Sequence, residues 1–477
     1  MKSGGRKKRL VVLMIFISAV SLLLAAALIG TMFLGNAIDV PLLRSENVYI
    51  VLILAVIFLV IIISMTVIVL RRGKLYKRIR ERNARILAGE ERSEDSSAEE
   101  GIAEESEREA GSKSKETSES RFYMLTETDI RMKSYRAPNM TGITLKELCE
   151  RFRNYAAAEK KLYYTPEDIR KFIAGMAVSR ILIMQGMSGT GKTSLAYTFG
   201  EFLNNGSVIV PVQPMWKERT DLVGYYNEFT RKFNETMLLQ KMYEANYSSE
   251  MYITVLDEMN IARVEYYFAE FLSLLEIPDT DKRWLDVVSD KWSNDPVKLN
   301  ESGQIKLPDN MWFIGTANND DSTFAISDKV YDRAMIVNLD RKSKEFSAPH
   351  TEGIKLAVWE WEKLVREAEE EYGVTARNLR RLSELDAYMI KTFRVSFGNR
   401  IMKQINKYVP IYVACGGDEL EALDDILSKK IIRKLETQNP VYVKSMSRQM
   451  SEYLDELFGE GKMKNCKESL ERLALGA

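Results

Sequence analysis

Two long apolar runs stand at the start of the chain. Residues 10–34 and 48–70 contain no charged residue, and each exceeds the roughly 20 residues with which an α-helix crosses a lipid bilayer. Basic residues crowd the segments 2–9 and 71–85, whereas the connector 35–47 carries one Arg, one Asp and one Glu. The positive-inside rule therefore predicts a membrane protein with two spans and with both termini in the cytoplasm. A cleaved signal peptide is the alternative for the first run.

The pattern changes after the second run. The basic segment that follows predicts a helix in contact with lipid headgroups. The next segment is acidic and has almost no large apolar side chains, so it buries too little surface to fold and is predicted to be a disordered linker. The predicted layout is a basic start (1–9), two spans (10–34 and 48–70) around a connector (35–47), a juxtamembrane helix (71–89), a linker (90–121), an α/β domain (122–345) and a helical domain (346–477).

A glycine-rich segment lies between a predicted strand and a predicted helix. Apolar residues 180–185 are typical of a buried parallel strand, and a helical pattern begins at residue 194. Residues 186–193 between them match GxxxxGK[ST]. In this motif backbone amides face phosphate, the lysine neutralises the β- and γ-phosphates, and the last hydroxyl binds Mg²⁺. The predicted nucleotide-binding residues are Gly186, Met187, Ser188, Gly189, Thr190, Gly191, Lys192, Thr193 and Ser194.

A second apolar strand, residues 251–256, ends in Asp257 and Glu258. An aspartate beside the glycine-rich loop is predicted to bind the nucleotide's Mg²⁺ together with Thr193, and the following glutamate is predicted to polarise the attacking water. The two motifs together predict an α/β nucleoside triphosphatase with Mg²⁺ as cofactor and ATP or GTP as substrate.

Composition removes several other kinds of chemistry. The formal net charge is zero, His350 is the only histidine, and the three cysteines, Cys149, Cys415 and Cys466, lie far apart. A histidine-based triad and a multi-histidine metal site are therefore excluded within this chain. The sparse cysteines also argue against a disulfide framework and suit a reducing compartment.

The segment from residue 163 to residue 339 resembles the McrB-like branch of the AAA+ ATPases. The residues that carry the resemblance are 256–260, 262–263, 268–276, 314–318 and 327–333. The resemblance implies a parallel five-stranded sheet flanked by helices, a helical lid, and a hairpin before the sensor strand. Alternating residues 297–307, around a turn at Asn300–Gly303, predict that hairpin.

The resemblance also implies roles for single residues. Asn318 matches the polar sensor beside the γ-phosphate, and Arg333 matches the arginine finger that one subunit presents to the nucleotide of its neighbour. The alternative for Arg333 is a surface ion pair. Arg400 resembles a lid arginine that contacts phosphates, with Arg394 as a competitor for that role. A ring oligomer, expected to be a hexamer, follows from a finger that acts between subunits.

The leading functional interpretation is a membrane-anchored ATPase ring that remodels or translocates a macromolecule, with nucleic acid as one candidate substrate. ATP is favoured because residues 317–322 lack the arginine of the corresponding loop in the namesake family. Aromatic and basic residues within 216–233 could grip an extended polymer or form a loop packed on its own domain. One alternative is a GTP-using motor of a DNA-targeting defence system that acts with an effector protein. The other alternative is a slow nucleotide-dependent scaffold or switch at the membrane.

Overall fold

The computed structural model describes residues 120–318 and 323–475. The predicted membrane spans and juxtamembrane helix lie outside these residues, as does the predicted linker up to residue 119. Within the described ranges no helix is both long enough and apolar enough to cross a bilayer.

Five parallel strands form the central sheet. The strands of the chain are β1 (Ile181–Gln185), β2 (Val208–Pro211), β3 (Gly224–Asn227), β4 (Lys232–Glu235), β5 (Tyr252–Asp257), β6 (Trp284–Asp286), β7 (Gln304–Lys306), β8 (Met311–Thr316) and β9 (Met335–Asn338). The order across the sheet is β2-β5-β8-β1-β9, with every neighbouring pair parallel. Strands β1, β5 and β8 are buried along nearly their whole length, as expected of a sheet covered on both faces. The predicted parallel five-stranded sheet is therefore confirmed.

Helices cover the sheet and form the carboxyl-terminal region. They are α1 (Met124–Met132), α2 (Leu145–Lys160), α3 (Pro166–Val178), α4 (Lys192–Phe202), α5 (Thr220–Val223), α6 (Met237–Ala245), α7 (Val264–Tyr267), α8 (Ala269–Glu276), α9 (Asp328–Tyr331), α10 (Val358–Glu371), α11 (Ala376–Phe393), α12 (Gly398–Ala414), α13 (Glu419–Lys430), α14 (Pro440–Phe458) and α15 (Lys464–Leu475).

Helix α3, which precedes β1 and the glycine-rich loop, begins with a reciprocal cap. Thr165 caps α3 through a hydrogen bond from the backbone N–H of Asp168 at 3.0 Å, and the Asp168 carboxylate accepts from the N–H of Thr165 at 3.0 Å. Pro166 occupies the first turn, where its missing N–H costs nothing. This reciprocal cap fixes the start of α3. Two residues, Ser179 and Arg180, separate the end of α3 from β1.

The hairpin before β8 exists, but its predicted first arm is wrong. Gln304–Lys306 pairs with Trp284–Asp286 and not with residues 297–300. Leu285 and Ile305 face each other in this pairing and are both fully buried, whereas Val297 is 70% exposed. Burial of an apolar pair decided the register, while the Asn300–Gly303 segment forms only a local turn.

A second antiparallel hairpin lies within the segment 216–233 and just beyond it. Strands β3 and β4 pair from Gly224↔Glu235 to Asn227↔Lys232, directly after the short helix α5. Phe229 at the tip is fully exposed. The tip of this segment is therefore presented to solvent and is not packed on its own domain.

The helical domain predicted at 346–477 contains α10–α15. One apolar cluster joins this lid to the sheet domain. It includes Phe172 of α3, Val337 of β9, Ile405 of α12 and Leu427 of α13. The lid therefore packs on the sheet domain, mainly through α12 against α3.

Candidate nucleotide site

The site forms at the carboxyl ends of three neighbouring strands. Strand β8 lies between β1 and β5, with Met184 opposite Thr316 and Leu256 opposite Gly315. Parallel strands end at the same edge of a sheet, so the glycine-rich loop after β1, Thr316 of β8 and Asp257 of β5 converge there. The strand order thus brings together two motifs that lie more than sixty residues apart.

Two glycines make this convergence possible. Gly186 has φ +137°, and a Cβ atom there would lie 2.2 Å from the carbonyl oxygen of Leu339. A Cβ atom on Gly315 would lie 1.9 Å from the sulfur of Met259, which follows the acidic pair. Any side chain at either position would push the loop or the acidic pair away from the strand ends.

The loop itself wraps around the amino terminus of α4. Lys192 is 7% exposed, and its Nζ donates hydrogen bonds to the carbonyls of Gly186 at 2.8 Å and Met187 at 2.9 Å. Burial lowers the pKa of Lys192, and the nearby Asp257 carboxylate opposes that shift. The hydroxyl of Thr190 donates to the carbonyl of Met187 at 2.9 Å. Of the predicted residues, 186–191 form the loop, and Lys192, Thr193 and Ser194 make up the first turn of α4, where backbone N–H groups favour an anion.

Asp257 is held by two hydroxyl groups. Thr193 donates to Asp257 Oδ1 at 2.7 Å, and Thr316 donates to the same oxygen at 2.9 Å. A carboxylate with adjacent hydroxyls supplies the hard oxygen ligands that Mg²⁺ prefers, so the residues present fit this ion. Thr193 and Asp257 were predicted to bind Mg²⁺. Thr316 was missed, because a threonine at the end of an apolar strand carries no motif signal.

Glu258 has an unusual backbone conformation. Its φ is +52° and its ψ is +48°, a left-handed conformation that costs a non-glycine residue about 1–2 kcal/mol. The N–H of Glu258 donates to Thr316 Oγ1 at 2.9 Å, which holds the conformation, and its side chain is exposed. Thr316 therefore fixes both members of the acidic pair. Strain of this kind concentrates at functional sites.

Asn318 follows β8 at the same edge of the sheet. Its carbonyl accepts hydrogen bonds from Asn260 Nδ2 at 2.8 Å and from the hydroxyl of Thr323 at 3.0 Å. Asn260 is buried, and its own carbonyl accepts from the N–H of Phe324 at 2.8 Å. Asn260, two residues after Glu258, thus binds both Asn318 and Phe324. These two residues flank positions 319–322, which lie outside the described ranges. Sequence reasoning gave Asn260 no role.

Two predicted arginines meet at one carboxylate elsewhere in the domain. Arg333 and Arg400 pair with the two oxygens of Glu276, at 2.6 Å and 2.5 Å respectively. The hydrogen bond from Arg333, more than any other interaction, lowers the pKa of Glu276. The structure therefore groups Arg400 with Arg333. The competitor Arg394 ends α11 in a left-handed conformation, with its N–H bonded to the carbonyl of Ile390 at 3.1 Å.

This arginine pair is remote from the loop of its own chain. Arg333 precedes β9, and Met335 of β9 lies opposite Leu182 of β1. From the level of Arg333 to Gly186 the separation along the strands is about 20 Å, at roughly 3.3 Å per residue. The phosphate-binding loop and the arginine pair therefore lie at opposite edges of the sheet.

A cavity borders the loop on the side of the lid. It has a volume of about 320 Å³, within the range of small-molecule sites. Its lining includes Gly186, Asn338 and Asp340 from the sheet domain and Arg433 and Arg472 from the lid. The loop thus opens onto a polar space that two domains share.

Residues 181–334 match the family model described as the AAA domain of the dynein-related subfamily. The chain carries an AAA domain. AAA domains are nucleoside triphosphatases of the AAA+ class, and the matched segment extends from β1 to the residue after Arg333. No curated protein matches the chain.

Two solved structures resemble the chain at low identity. The full-length MCM homolog from Methanopyrus kandleri is 9% identical, with a TM-score of 0.32, and the match covers 64% of this chain and 60% of that one. NtrX from Brucella abortus is 13% identical, with a TM-score of 0.23, and the match covers 74% of this chain and 70% of that one. The chain thus spans less than two thirds of the MCM homolog. The family model, and not these likenesses, identifies the domain.

Proposed function

We propose that this AAA domain hydrolyses ATP in a ring of identical subunits and uses the cycle to remodel or translocate a macromolecule at a membrane. In each subunit Lys192, Thr193 and Asp257 hold the nucleotide and its Mg²⁺, which neutralises phosphate charge when bound. Glu258 orients and deprotonates the attacking water, and Asn318 holds it against the γ-phosphate.

The position of Arg333 is the observation that carries the ring. An arginine side chain cannot span about 20 Å to the loop of its own chain, given the strand spacing. Its neighbours Glu276 and Arg400 lie with it at the far edge of the sheet. A cation in that place serves the phosphates of an adjacent molecule, and a repeated head-to-tail contact of this kind closes into a ring. In the assembled ring Arg333 leaves Glu276 and stabilises charge in the transition state of the neighbouring site.

The two hairpins are the proposed contacts with the macromolecule. Phe229 at the tip of the β3–β4 hairpin is fully exposed, and Arg231 beside it has a left-handed conformation with φ +52°. An exposed aromatic ring next to basic side chains suits an extended polymer with planar or negatively charged groups. Nucleic acid is the first candidate for this polymer. If it binds here, its affinity for the protein should fall steeply with added salt.

The start of the described chain touches both hairpins. Arg121 pairs with Asp295, between β6 and β7, at 2.6 Å, with both side chains buried. The carbonyl of Arg121 accepts from the N–H of Phe233 in β4 at 2.9 Å. The described chain therefore starts beside the two hairpins. The two charge-free runs at 10–34 and 48–70 support the proposal of a membrane anchor.

The test is phosphate release by the full-length chain over a concentration series, with ATP and GTP compared in parallel. Turnover per subunit should climb with protein concentration, because each site needs the arginine of a neighbour. ATP should be used faster than GTP, and faster use of GTP would favour the alternative motor. Tight nucleotide binding with turnover that stays low at every concentration would overturn the motor and favour a switch.

A further inference from the structure

The backbone that carries Arg333 is held by side chains at every carbonyl. Ser179 Oγ donates to the carbonyl of Arg333 at 2.8 Å, and Gln404 Nε2 donates to that of Asp332 at 3.1 Å. Lys430 Nζ donates to the carbonyls of Tyr331 at 2.7 Å and Ala334 at 2.5 Å. Four consecutive carbonyls, from 331 to 334, therefore have side-chain donors. Most backbone carbonyls bond to other backbone groups or to water, so this arrangement is exceptional.

Most of these donors come from the lid. Lys430 is the last residue of α13, and Gln404 lies in α12. Together they supply three of the four hydrogen bonds, and only Ser179 belongs to the sheet domain. The arginine-bearing segment is therefore attached more to the lid than to the sheet that it leads into.

Lys430 is an unusual choice for this contact. It is 4% exposed, and its two hydrogen bonds go to neutral carbonyls. A buried ammonium group normally has a carboxylate partner, because desolvation penalises its charge. Burial accordingly lowers the pKa of Lys430 to about 7. An apolar residue could fill this place by packing alone, but it could not donate to the two carbonyls that Lys430 binds.

The same segment contacts β1 next to the phosphate-binding loop. Arg433 stacks over the ring of Tyr331 at 3.8 Å and pairs with Asp328 at 2.7 Å. The hydroxyl of Tyr331 is hydrogen-bonded to the side chain of Gln185, which directly precedes Gly186. Lid, loop and arginine segment thus share one set of contacts, which runs from the nucleotide of one subunit to the arginine that serves another.

We propose that Lys430 is a positioning residue that ties the lid to the backbone of Arg333, so that the lid position in one subunit sets how that arginine is presented to the neighbouring site. This inference rests on the proposed function, because it requires Arg333 to act between subunits. Gln404 assists through the carbonyl of Asp332. The contact gives the ring a way to pass the nucleotide state of one site to the next.

Mixed rings of the full-length chain test the proposal. Lys430→Met keeps the length of the side chain and removes its N–H donors. Alone, it should lower turnover at least tenfold while the nucleotide KM changes less than twofold. The Glu258→Gln subunit has an inactive site but an intact Arg333. In a ring formed at random from equal amounts of the two variants, one interface in four joins an intact site to an intact arginine. The mixture should therefore recover to about one quarter of the wild-type rate.

Two control mixtures and one control variant make the outcomes separable. Arg333→Ala mixed with Glu258→Gln should recover in the same way. Lys192→Ala mixed with Glu258→Gln should not, because both substitutions disable a site in its own subunit. Lys444→Met, on the exposed face of α14, should match the wild type. Gln404→Leu repeats the design with a smaller disturbance and keeps the test available if Lys430→Met fails to fold.

Failure of the Arg333→Ala mixture to recover would refute action between subunits and, with it, the proposed ring. Recovery of that mixture without recovery of the Lys430→Met and Gln404→Leu mixtures would show that these residues act within their own subunit. That result would overturn the positioning role and leave the proposed function intact. Wild-type turnover by Lys430→Met alone would overturn it as well.

Discussion

The phosphate-binding half of the site and the arginine half are built in different ways. In the first half, Thr193, Asp257 and Thr316 follow or end three adjacent strands, and both threonine hydroxyls donate to one oxygen of Asp257. In the second half, Glu276, Arg333 and Arg400 come from three separate elements and meet through side chains alone. The first half is set by strand order, whereas the second depends on where the lid lies. A movement of the lid is therefore expected to change the second half more than the first.

This difference separates binding from turnover. Rigid strand ends suit a site that must hold phosphate in every state of the cycle. A group held by hydrogen bonds to another domain suits a step that must be switched on and off. Substitutions in the arginine half should consequently leave nucleotide affinity unchanged, and the following predictions test that division from the largest expected effect to the smallest.

Arg333→Ala should give the largest loss. Arginine fingers contribute about 10³–10⁵-fold to phosphoryl transfer, and Arg333 is predicted to supply this contribution between subunits. Turnover of the assembled protein should fall by about that factor, while the nucleotide Kd stays within a few-fold. Steady-state phosphate release and nucleotide titration measure the two quantities. Arg448→Ala, on an exposed lid arginine, serves as the control, and a large rise in Kd for Arg333→Ala would break the comparison.

Glu258→Gln should lower turnover by about 10²–10⁴-fold, the usual range for a lost general base. Nucleotide binding should persist, because Lys192 and Asp257 are untouched and the amide retains the size of the side chain. Single-turnover phosphate release separates this effect from product release. Glu456→Gln, on the exposed face of α14, is the matched control. Retention of more than a tenth of the wild-type rate by Glu258→Gln would mean that another group orients the water.

The sequence predicts the phosphate-binding half of the site better than the arginine half. The loop at 186–193 and the acidic pair were predictable because their chemistry depends on neighbours along the chain. The five-stranded sheet followed from the family resemblance. Glu276 and Lys430 could not be found in this way, since their partners lie 57 residues away or more. The pairing of the hairpin before β8 was predicted wrongly for the same reason. Ile305 pairs with the distant Leu285, and both side chains are buried in that pairing.

Thr316→Val tests whether the phosphate half is as rigid as its contacts suggest. The substitution keeps the shape of a buried side chain and removes its hydrogen bonds to Asp257 and to the backbone of Glu258. Hydrogen bonds to charged groups contribute about 1.5–3 kcal/mol, so turnover should fall about tenfold to a hundredfold. The Mg²⁺ concentration for half-maximal rate should rise, and Thr316→Ser should restore most of the activity. Normal Mg²⁺ dependence in Thr316→Val would contradict the assigned contact.

The smallest expected effect concerns stability and belongs to Lys430. Its pKa falls from the ordinary 10.5 to about 7 in the folded chain, chiefly through burial; Asp332 opposes the shift, and Arg433, Lys434 and Arg400 add to it. Between these two pH values the unfolded chain binds more protons, so the free energy of unfolding should rise with pH, by at most about 1.4 kcal/mol per unit. Below pH 7 both states are protonated and the contribution levels off.

Lys430→Met removes this titration, so urea unfolding of the variant and the wild type at pH 7, 8 and 9 isolates it from all other groups. The wild type should become more stable relative to the variant as the pH rises. The neutral amine still has two N–H donors for its two carbonyls, so the contact to Tyr331 and Ala334 should survive deprotonation. Turnover should then stay level across the same range. A pH-independent difference in stability would show that Lys430 is solvated in solution, and the arginine half would then be held less tightly to the lid than its contacts indicate.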